Sequence, residues 1–309
     1  MVVNAAILLR NTWVEPWPAS RFVGAKIGLS RKLLGMEPTD MHALDRDIKA
    51  IGERFRPLEV LLRPMFLGLE HIPKSRPLLF VGNHTIYGVL DVPFLYLGLN
   101  RELDICLRPL GDHIHFKIPG WREFITRYGV VEGSREACAQ LLRDDQCVLV
   151  FPGGAREVAK RRGEKYQLQW GKRLGFVRMA LEAGCTIVPF AALGADDAYD
   201  ILLDANDIMG SPLGKVLSRL GARKDALLPV SRGFGMTGLP RPERLYFEFC
   251  KPIDLSPYQG RQGDDELCLS IRGQVADSIE EAIASLKSTR QSDPKRGLKA
   301  RLKDAIGLL

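Results

Sequence analysis

The sequence lacks several features that define common classes of protein. None of its six cysteines lies in a CxxC pair or has the spacing to histidine of a zinc site. No window reaches the roughly 18 uncharged apolar residues of a membrane-spanning helix, since the richest, residues 86–99, contains Asp91 and Pro93. Residues 1–18 do not have the regions of a secretory signal. These absences argue against a disulfide scaffold, and they favour a reducing compartment and a membrane contact that is at most peripheral.

The overall composition is that of a globular protein with a modest excess of positive charge. The 309 residues are 46% hydrophobic and 26% charged, and 44 Lys and Arg against 37 Asp and Glu give a net charge of +7. Such a balance suits an anionic partner: a membrane surface, a nucleic acid or a phosphorylated substrate. Because the basic residues are scattered or terminal and no nucleic-acid motif is present, we expect no nucleic-acid partner.

Short apolar runs alternate with amphipathic stretches through the middle of the chain. The runs predict buried strands, and Ser134 is placed to cap one of the intervening helices. The fold class predicted is α/β, with a mostly parallel central sheet, helices on both faces, and helical N- and C-terminal segments. The predicted strands are residues 78–81, 105–107, 148–151, 186–192 and 245–250.

We predict three parts along the chain: an N-terminal helical segment at 1–67, a core at 68–260 and C-terminal helices at 261–309. The first part places Trp13, Trp17 and Phe22 among basic residues, which fits either an interfacial anchor or a helical cap on the core. After Pro294, apolar residues share one face of a helix that is otherwise basic. That helix fits either the headgroup region of a membrane or a solvated tail packed on the domain. Either terminus is a candidate for the membrane contact.

A histidine and an aspartate follow the first predicted strand, where catalytic groups of α/β folds gather. A neutral His84 oriented by a carboxylate can remove a proton from a hydroxyl. Six residues separate His84 from Asp91. In a regular helix the two would be roughly 10 Å apart along the axis, whereas a hydrogen bond needs about 3 Å. We therefore expect the segment to loop at Gly88; otherwise Asp91 only begins a helix and His84 has another partner.

A second predicted strand ends in a glycine turn. Its residues 151–157 read Phe-Pro-Gly-Gly-Ala-Arg-Glu. Small residues let backbone N–H groups converge on an anion, with Arg156 adding charge, or the glycines only satisfy a tight turn. The spacing is not that of a P-loop, and no G-x-S-x-G elbow is present. His113 and His115 suggest a metal site, but no third ligand is evident, and we favour ordinary strand or loop histidines.

Four short blocks follow one another along the chain: Asn83, His84 and Asp91; Gly120, Phe124 and Arg127; residues 151–157; and residues 187–190. Together they resemble the lysophospholipid and glycerolipid acyltransferase superfamily, over a region from about residue 68 to 198. In the third block, Gly153 stands where the glycerol-phosphate branch usually carries a glutamate. The sequence from Phe151 to Glu157 is instead similar to the monoacylglycerol/diacylglycerol acyltransferase-like branch. That similarity implies a neutral acceptor, although Arg156 leaves a phosphorylated acceptor possible.

The resemblance implies a mechanism and its site residues. His84 would act as general base oriented by Asp91, transferring a fatty acyl group from acyl-CoA or an acyl-carrier protein to a lipid hydroxyl, with no metal or other cofactor. The chain would act peripherally at the cytoplasmic face of a membrane. An acyl-thioester hydrolase and a non-catalytic lipid-binding protein remain rivals. Arg127 is alternatively a structural ion pair, and Glu157 is expected to orient Arg156 or line the site. The implied substrate-binding residues are Asn83, Phe124, Arg127, Gly153, Gly154, Arg156 and Glu157.

Overall fold

The computed structural model describes residues 40–219 and 223–307, which form a mixed sheet between helical layers. The strands are β1 Met65–Leu67, β2 Leu78–Gly82, β3 Leu107–Gly111, β4 Val131–Glu132, β5 Cys147–Val150, β6 Thr186–Leu193, β7 Asp200–Leu203, β8 Val230–Arg232, β9 Tyr246–Phe249 and β10 Ile253–Asp254. The helices are α1 Met41–Leu62, α2 Asp91–Leu103, α3 Trp121–Arg127, α4 Arg135–Arg143, α5 Ala155–Val158, α6 Gly175–Ala183, α7 Ala205–Gly210, α8 Pro212–Arg219, α9 Asp265–Ser292 and α10 Leu298–Ala305.

The large sheet has the strand order β1-β9-β6-β2-β5-β3-β4, and β10 adds to β6. Strands β6, β2, β5, β3 and β4 pair in parallel, whereas β9 and β10 run antiparallel to β6. The carboxyl ends of the five parallel strands therefore meet at one edge of the sheet. Strand β2 is the central strand of the whole sheet and lies between β6 and β5. A separate hairpin of β7 and β8 follows β6.

Two buried apolar layers hold the sheet. One face packs against α4, α6 and α9, and the other packs against α1 and α2. Every residue of β2 and β5 is buried because both faces are covered, as their unbroken apolar sequence predicts. The predicted α/β class with a mostly parallel sheet is thereby confirmed. Ser134 accepts a hydrogen bond from the Ala137 N–H at 3.0 Å and caps α4 as expected.

The terminal segments contribute to these layers. Helix α1 lies within the predicted 1–67 segment and α9 within the predicted 261–309 segment, yet each covers one face of the sheet. The aromatic and basic cluster around Trp13 lies outside the described residues. Among the helices that are described, none is both long and apolar enough to span a bilayer.

Candidate active site

His84 and Asp91 are hydrogen-bonded directly after β2. The imidazole Nδ1 lies 2.8 Å from Asp91 Oδ2, which also accepts the backbone N–H of Thr85 at 2.8 Å. The side chain of His84 is 15% exposed and that of Asp91 only 2%. Burial acts to raise the pKa of Asp91, but the charge and hydrogen bond of His84 outweigh it and hold that pKa below its ordinary value. Asp91 is therefore an ionised acceptor for Nδ1, and Nε2 is left as the second nitrogen.

The segment between the two residues loops as their spacing requires. Tyr87 and Gly88 both have left-handed backbones, with φ of 61° and 67°, inside a single turn of 3₁₀ helix. A Cβ on Gly88 would lie 2.4 Å from His84 Cε1, so the absence of a side chain there makes room for the imidazole. Asp91 then begins α2, and its Oδ1 accepts the N–H of Val92 at 2.9 Å.

The segment after β5 forms the other side of the histidine. The ring of Phe151 stacks on His84 with centroids 4.0 Å apart and an interplanar angle of 12°. Glu157 on α5 is fully buried and accepts the backbone N–H of His84 at 3.3 Å and of Gln169 at 3.2 Å. Burial raises the pKa of Glu157, and the charges of Lys160 and His84 offset this only in part. Glu157 thus fixes the main chain of the histidine and does not orient Arg156.

Three of the N–H groups of the glycine turn are used within the turn itself. The N–H groups of Gly154, Arg156 and Glu157 donate to the carbonyls of Phe151, Gly153 and Gly154, so these three donors do not converge on an anion. Arg173 donates to the carbonyl of Pro152 at 2.9 Å. The guanidinium of Arg156 pairs with Glu164, and its side chain is only 13% exposed.

Asn83 does not reach the substrate side of the site. Its amide is fully buried, donates to the Ala192 carbonyl at 2.9 Å and accepts the Ala192 N–H at 2.8 Å. The side chain therefore joins β2 to β6 in the interior. Its place among the substrate-binding residues stays a prediction, since in this structure both of its polar atoms are occupied away from solvent.

Two residues of the second block, Phe124 and Arg127, were predicted to bind substrate. Arg127 forms an ion pair within the protein, and Phe124 is exposed. Arg127 makes a bidentate pair with Asp47 on α1, at 2.9 Å for both contacts, so the structural ion pair left open by the sequence is the one formed. Phe124 is 44% exposed, stacks on Trp121 and meets Tyr128 edge-to-face. It belongs to an exposed apolar set on and before α3, formed by Ile118, Trp121 and Phe124.

That set contacts His115 in the segment after β3. Trp121 Nε1 lies 3.3 Å from His115 Nδ1. Burial lowers the pKa of His115; the charge of Asp112 acts against this, and that of His84 adds to it. His113 instead contacts Asp112 at 3.0 Å. Within residues 40–219 and 223–307, no three His, Cys, Asp or Glu side chains are grouped to hold a metal ion.

A buried ion pair behind the loop was not anticipated from the sequence. Lys160 Nζ lies 3.5 Å from Asp196 Oδ2, and the two side chains are 1% and 0% exposed. Asp196, which follows β6, also accepts the N–H of Ile86 at 2.7 Å and of Tyr166 at 2.9 Å. Burial raises the pKa of Asp196, with Lys160 acting against it. The sequence signal for this pair was Asp196, a charged residue just after a parallel strand. Nothing in the sequence marked Lys160, 36 positions earlier, as its partner.

Comparison with known protein families identifies the class of the domain that contains this site. Residues 63–192 match the model of the family described as Acyltransferase, and the chain contains a domain of that family. The resemblance carried by the four sequence blocks is confirmed.

Individual relatives can be named within that class. Phytyl ester synthase 2, chloroplastic, of Arabidopsis thaliana is 35% identical over 252 residues, which cover 76% of this chain and 36% of that protein. The human DGAT1/2-independent enzyme synthesizing storage lipids is 34% identical over 125 residues, 40% of this chain and 37% of that protein. A solved 1-acyl-sn-glycerophosphate acyltransferase from Thermotoga maritima has 16% identity and a TM-score of 0.48, covering 83% of this chain and 88% of its own. The matched region spans little more than a third of the length of phytyl ester synthase 2 and of the human enzyme.

Proposed function

We propose that this protein transfers a fatty acyl group from an acyl thioester, acyl-CoA or acyl-carrier protein, to the hydroxyl of a neutral lipid. The acceptor would be a long-chain alcohol or a partial glyceride. The observation that carries the proposal is the contact between His84 Nδ1 and the ionised carboxylate of Asp91, 2.8 Å apart at the end of β2.

The reaction needs one proton acceptor and no covalent intermediate. Asp91 accepts the Nδ1–H of His84, which leaves Nε2 as the base. Nε2 takes the hydroxyl proton as the oxygen attacks the thioester carbon. The carbon–sulfur bond then breaks, and the departing thiolate receives that proton from the imidazolium. The stacked ring of Phe151 and the buried carboxylate of Glu157 hold the histidine in place during both transfers.

Three observations support a neutral, long-chain acceptor. The guanidinium of Arg156 is neutralised by Glu164, and the glycine turn uses three of its N–H groups internally. The exposed apolar set Ile118, Trp121 and Phe124 adjoins His115 near the histidine and suits an aliphatic chain. The relatives are named for phytyl esters and storage lipids. Six free cysteines fit a reducing compartment, such as the cytoplasmic face of a membrane.

A purified-protein assay tests the proposal directly. Donors would be long-chain acyl-CoA and acyl-carrier protein, and acceptors would be phytol, monoacylglycerol, diacylglycerol and lysophospholipid, with thiol release and ester product both measured. We expect acceptor-dependent ester that falls by about 10²–10⁴-fold in His84→Ala. His42→Ala, at an exposed histidine on α1, is the matched control and should retain activity.

The two rival functions give different results in the same assay. Thiol release that is equal with and without acceptor, and no ester, would show a hydrolase. A protein that binds lipid equally well before and after His84→Ala, with no thiol release from either, would be a non-catalytic binder.

A further inference from the structure

Exposed apolar side chains are concentrated in one part of the molecule. Of the twenty large hydrophobic side chains exposed in the described residues, nine lie between positions 202 and 239, beyond the part that matches the family model. A concentration of this kind marks an interaction surface rather than scattered surface residues. The nine are Leu202, Leu203, Leu213, Val216, Leu228, Val230, Phe234, Met236 and Leu239.

The most exposed of them project from an ordered loop, residues 227–240. Phe234, Met236 and Leu239 are 62%, 78% and 68% exposed. The loop bonds its own backbone: Gly233 N–H donates to the Thr237 carbonyl at 2.8 Å, and Phe234 N–H donates to that of Leu239 at 2.7 Å. Because these backbone groups are satisfied within the loop, less desolvation opposes the entry of its apolar side chains into the polar interface of a membrane.

The charges around the loop are arranged for an anionic partner. Residues 226–240 contain no carboxylate, and their one charged side chain is Arg232. Helix α8 adds the exposed cations Lys215 and Arg219 beside its exposed apolar residues. The carboxylates of residues 200–225 are all engaged: Asp200 with Arg241, Asp207 with Arg162, Asp225 with Arg161, and Asp204 as the cap of α7.

The loop is also attached to the active-site turn. The hydroxyl of Tyr87, between His84 and Asp91, donates to the Pro229 carbonyl at 2.8 Å and lies 2.7 Å from Ser231 Oγ. Its ring packs edge-to-face on Tyr199 with centroids 5.1 Å apart. Any surface that binds the 227–240 loop therefore lies close to the turn that carries His84.

We propose that the 227–240 loop, together with α8, is the membrane-docking surface of this protein. Phe234, Met236 and Leu239 enter the interface of a lipid bilayer, and Lys215 and Arg219 face its anionic headgroups, whereas Arg232 lies 3.5 Å from Asp200 and is paired within the protein. The docking surface thus lies next to the site. The inference does not depend on which reaction the site catalyses.

Vesicle flotation of the full-length protein, without donor or acceptor, tests the proposal. The vesicles are phosphatidylcholine alone or with roughly one third phosphatidylglycerol. We expect the triple variant Phe234→Ser, Met236→Ser, Leu239→Ser to lose about tenfold or more in partitioning to both. The control triple Leu58→Ser, Val60→Ser, Leu269→Ser removes similarly exposed apolar side chains from α1 and α9 and should bind normally.

A second pair of variants tests the charge. Lys215→Glu with Arg219→Glu should weaken binding to the phosphatidylglycerol vesicles and leave the weaker binding to phosphatidylcholine unchanged. Thermal unfolding of every variant establishes that it is folded. Equal vesicle binding by the loop and control triples would overturn the proposal. So would a loop triple that keeps its vesicle binding but changes molecular mass in light scattering, since the loop would then contact a second copy.

Discussion

The imidazole of His84 lies between two surfaces that leave it little freedom, the ring of Phe151 and the backbone of Gly88. The hydrogen bond to Asp91 fixes the remaining rotation about the side chain. Catalytic geometry of this kind must be kept to within a fraction of an ångström. Gly88 therefore matters for this geometry as much as the two residues proposed to carry the chemistry.

We predict that Gly88→Ala abolishes most activity while the protein stays folded. The added Cβ would lie 2.4 Å from His84 Cε1, so the ring must move away from Asp91. We expect turnover to fall by about 10²-fold or more, measured by ester product. Gly260→Ala is the control: Gly260 also has a left-handed backbone, with φ of 86°, but its added Cβ would meet nothing within 4 Å. Equal losses in both variants would show that backbone strain alone is responsible.

At the scale of single residues, the sequence predicted the contact between His84 and Asp91 but not the residues that contact Asn83 and Arg127. The gap between His84 and Asp91, with a glycine inside it, was enough to predict the looped segment. Asn83 and Arg127 carried no such information, because their partners Ala192 and Asp47 are 109 and 80 positions away. A polar residue in a motif is ambiguous until the distant group that faces it is known.

Single elements show the same division. The strands β2, β5 and β6 were predictable because burial on both faces demands continuous apolar sequence. Strand β9 was predicted, but its antiparallel direction was not, since strand direction is decided by neighbours and not by local composition; the two-residue β10 was not predicted at all. The turn after β2 is likewise held from outside itself, by Asp196 at the end of β6.

We predict that Lys160→Met destabilises the protein by about 3–5 kcal/mol at neutral pH, because Asp196 becomes an unpaired buried carboxylate. The pKa of Asp196, already raised by burial, rises further without the lysine. A raised folded-state pKa means that the folded protein binds the proton more tightly than the unfolded chain. Stability is therefore retained at low pH and lost as the pH rises.

Chemical denaturation of Lys160→Met at pH 5 and pH 8 checks both points, with the larger loss expected at pH 8. Adding Asp196→Asn to Lys160→Met removes one of the two buried carboxylates that Lys160 faces, the other being Glu157, and should restore part of the stability and reduce the pH dependence. An identical loss at both pH values would mean that Lys160 stabilises the protein by packing alone.

For the molecule as a whole, helix α10 is tied to the end of α1. Arg301 is 1% exposed and donates to the carbonyls of Leu61, Arg296 and Pro242. The sequence pattern places Arg301 with the basic residues of this helix, away from its apolar face. Its burial was not predictable, because an arginine that satisfies backbone carbonyls has the same helical periodicity as one that faces solvent.

We expect Arg301→Ala to lower the free energy of unfolding by about 2–4 kcal/mol, since buried carbonyls at the end of α1 and at Pro242 lose a charged donor. Lys303→Ala, at an exposed position of the same helix, should change it by about 0.5 kcal/mol or less. Denaturant titrations of the two variants measure the difference. A similar small change in both would place α10 among the dispensable parts of the fold.

The space beside Gly153 has a further consequence for which residues this site accepts. A side chain at this position would begin 2.2 Å from Cγ of Glu157, so the two positions compete for one volume. A carboxylate can thus be supplied to this volume from either of two places in the chain, but not from both at once. A glutamate at position 153, where the glycerol-phosphate branch usually carries one, would therefore require a smaller residue at position 157 of this chain.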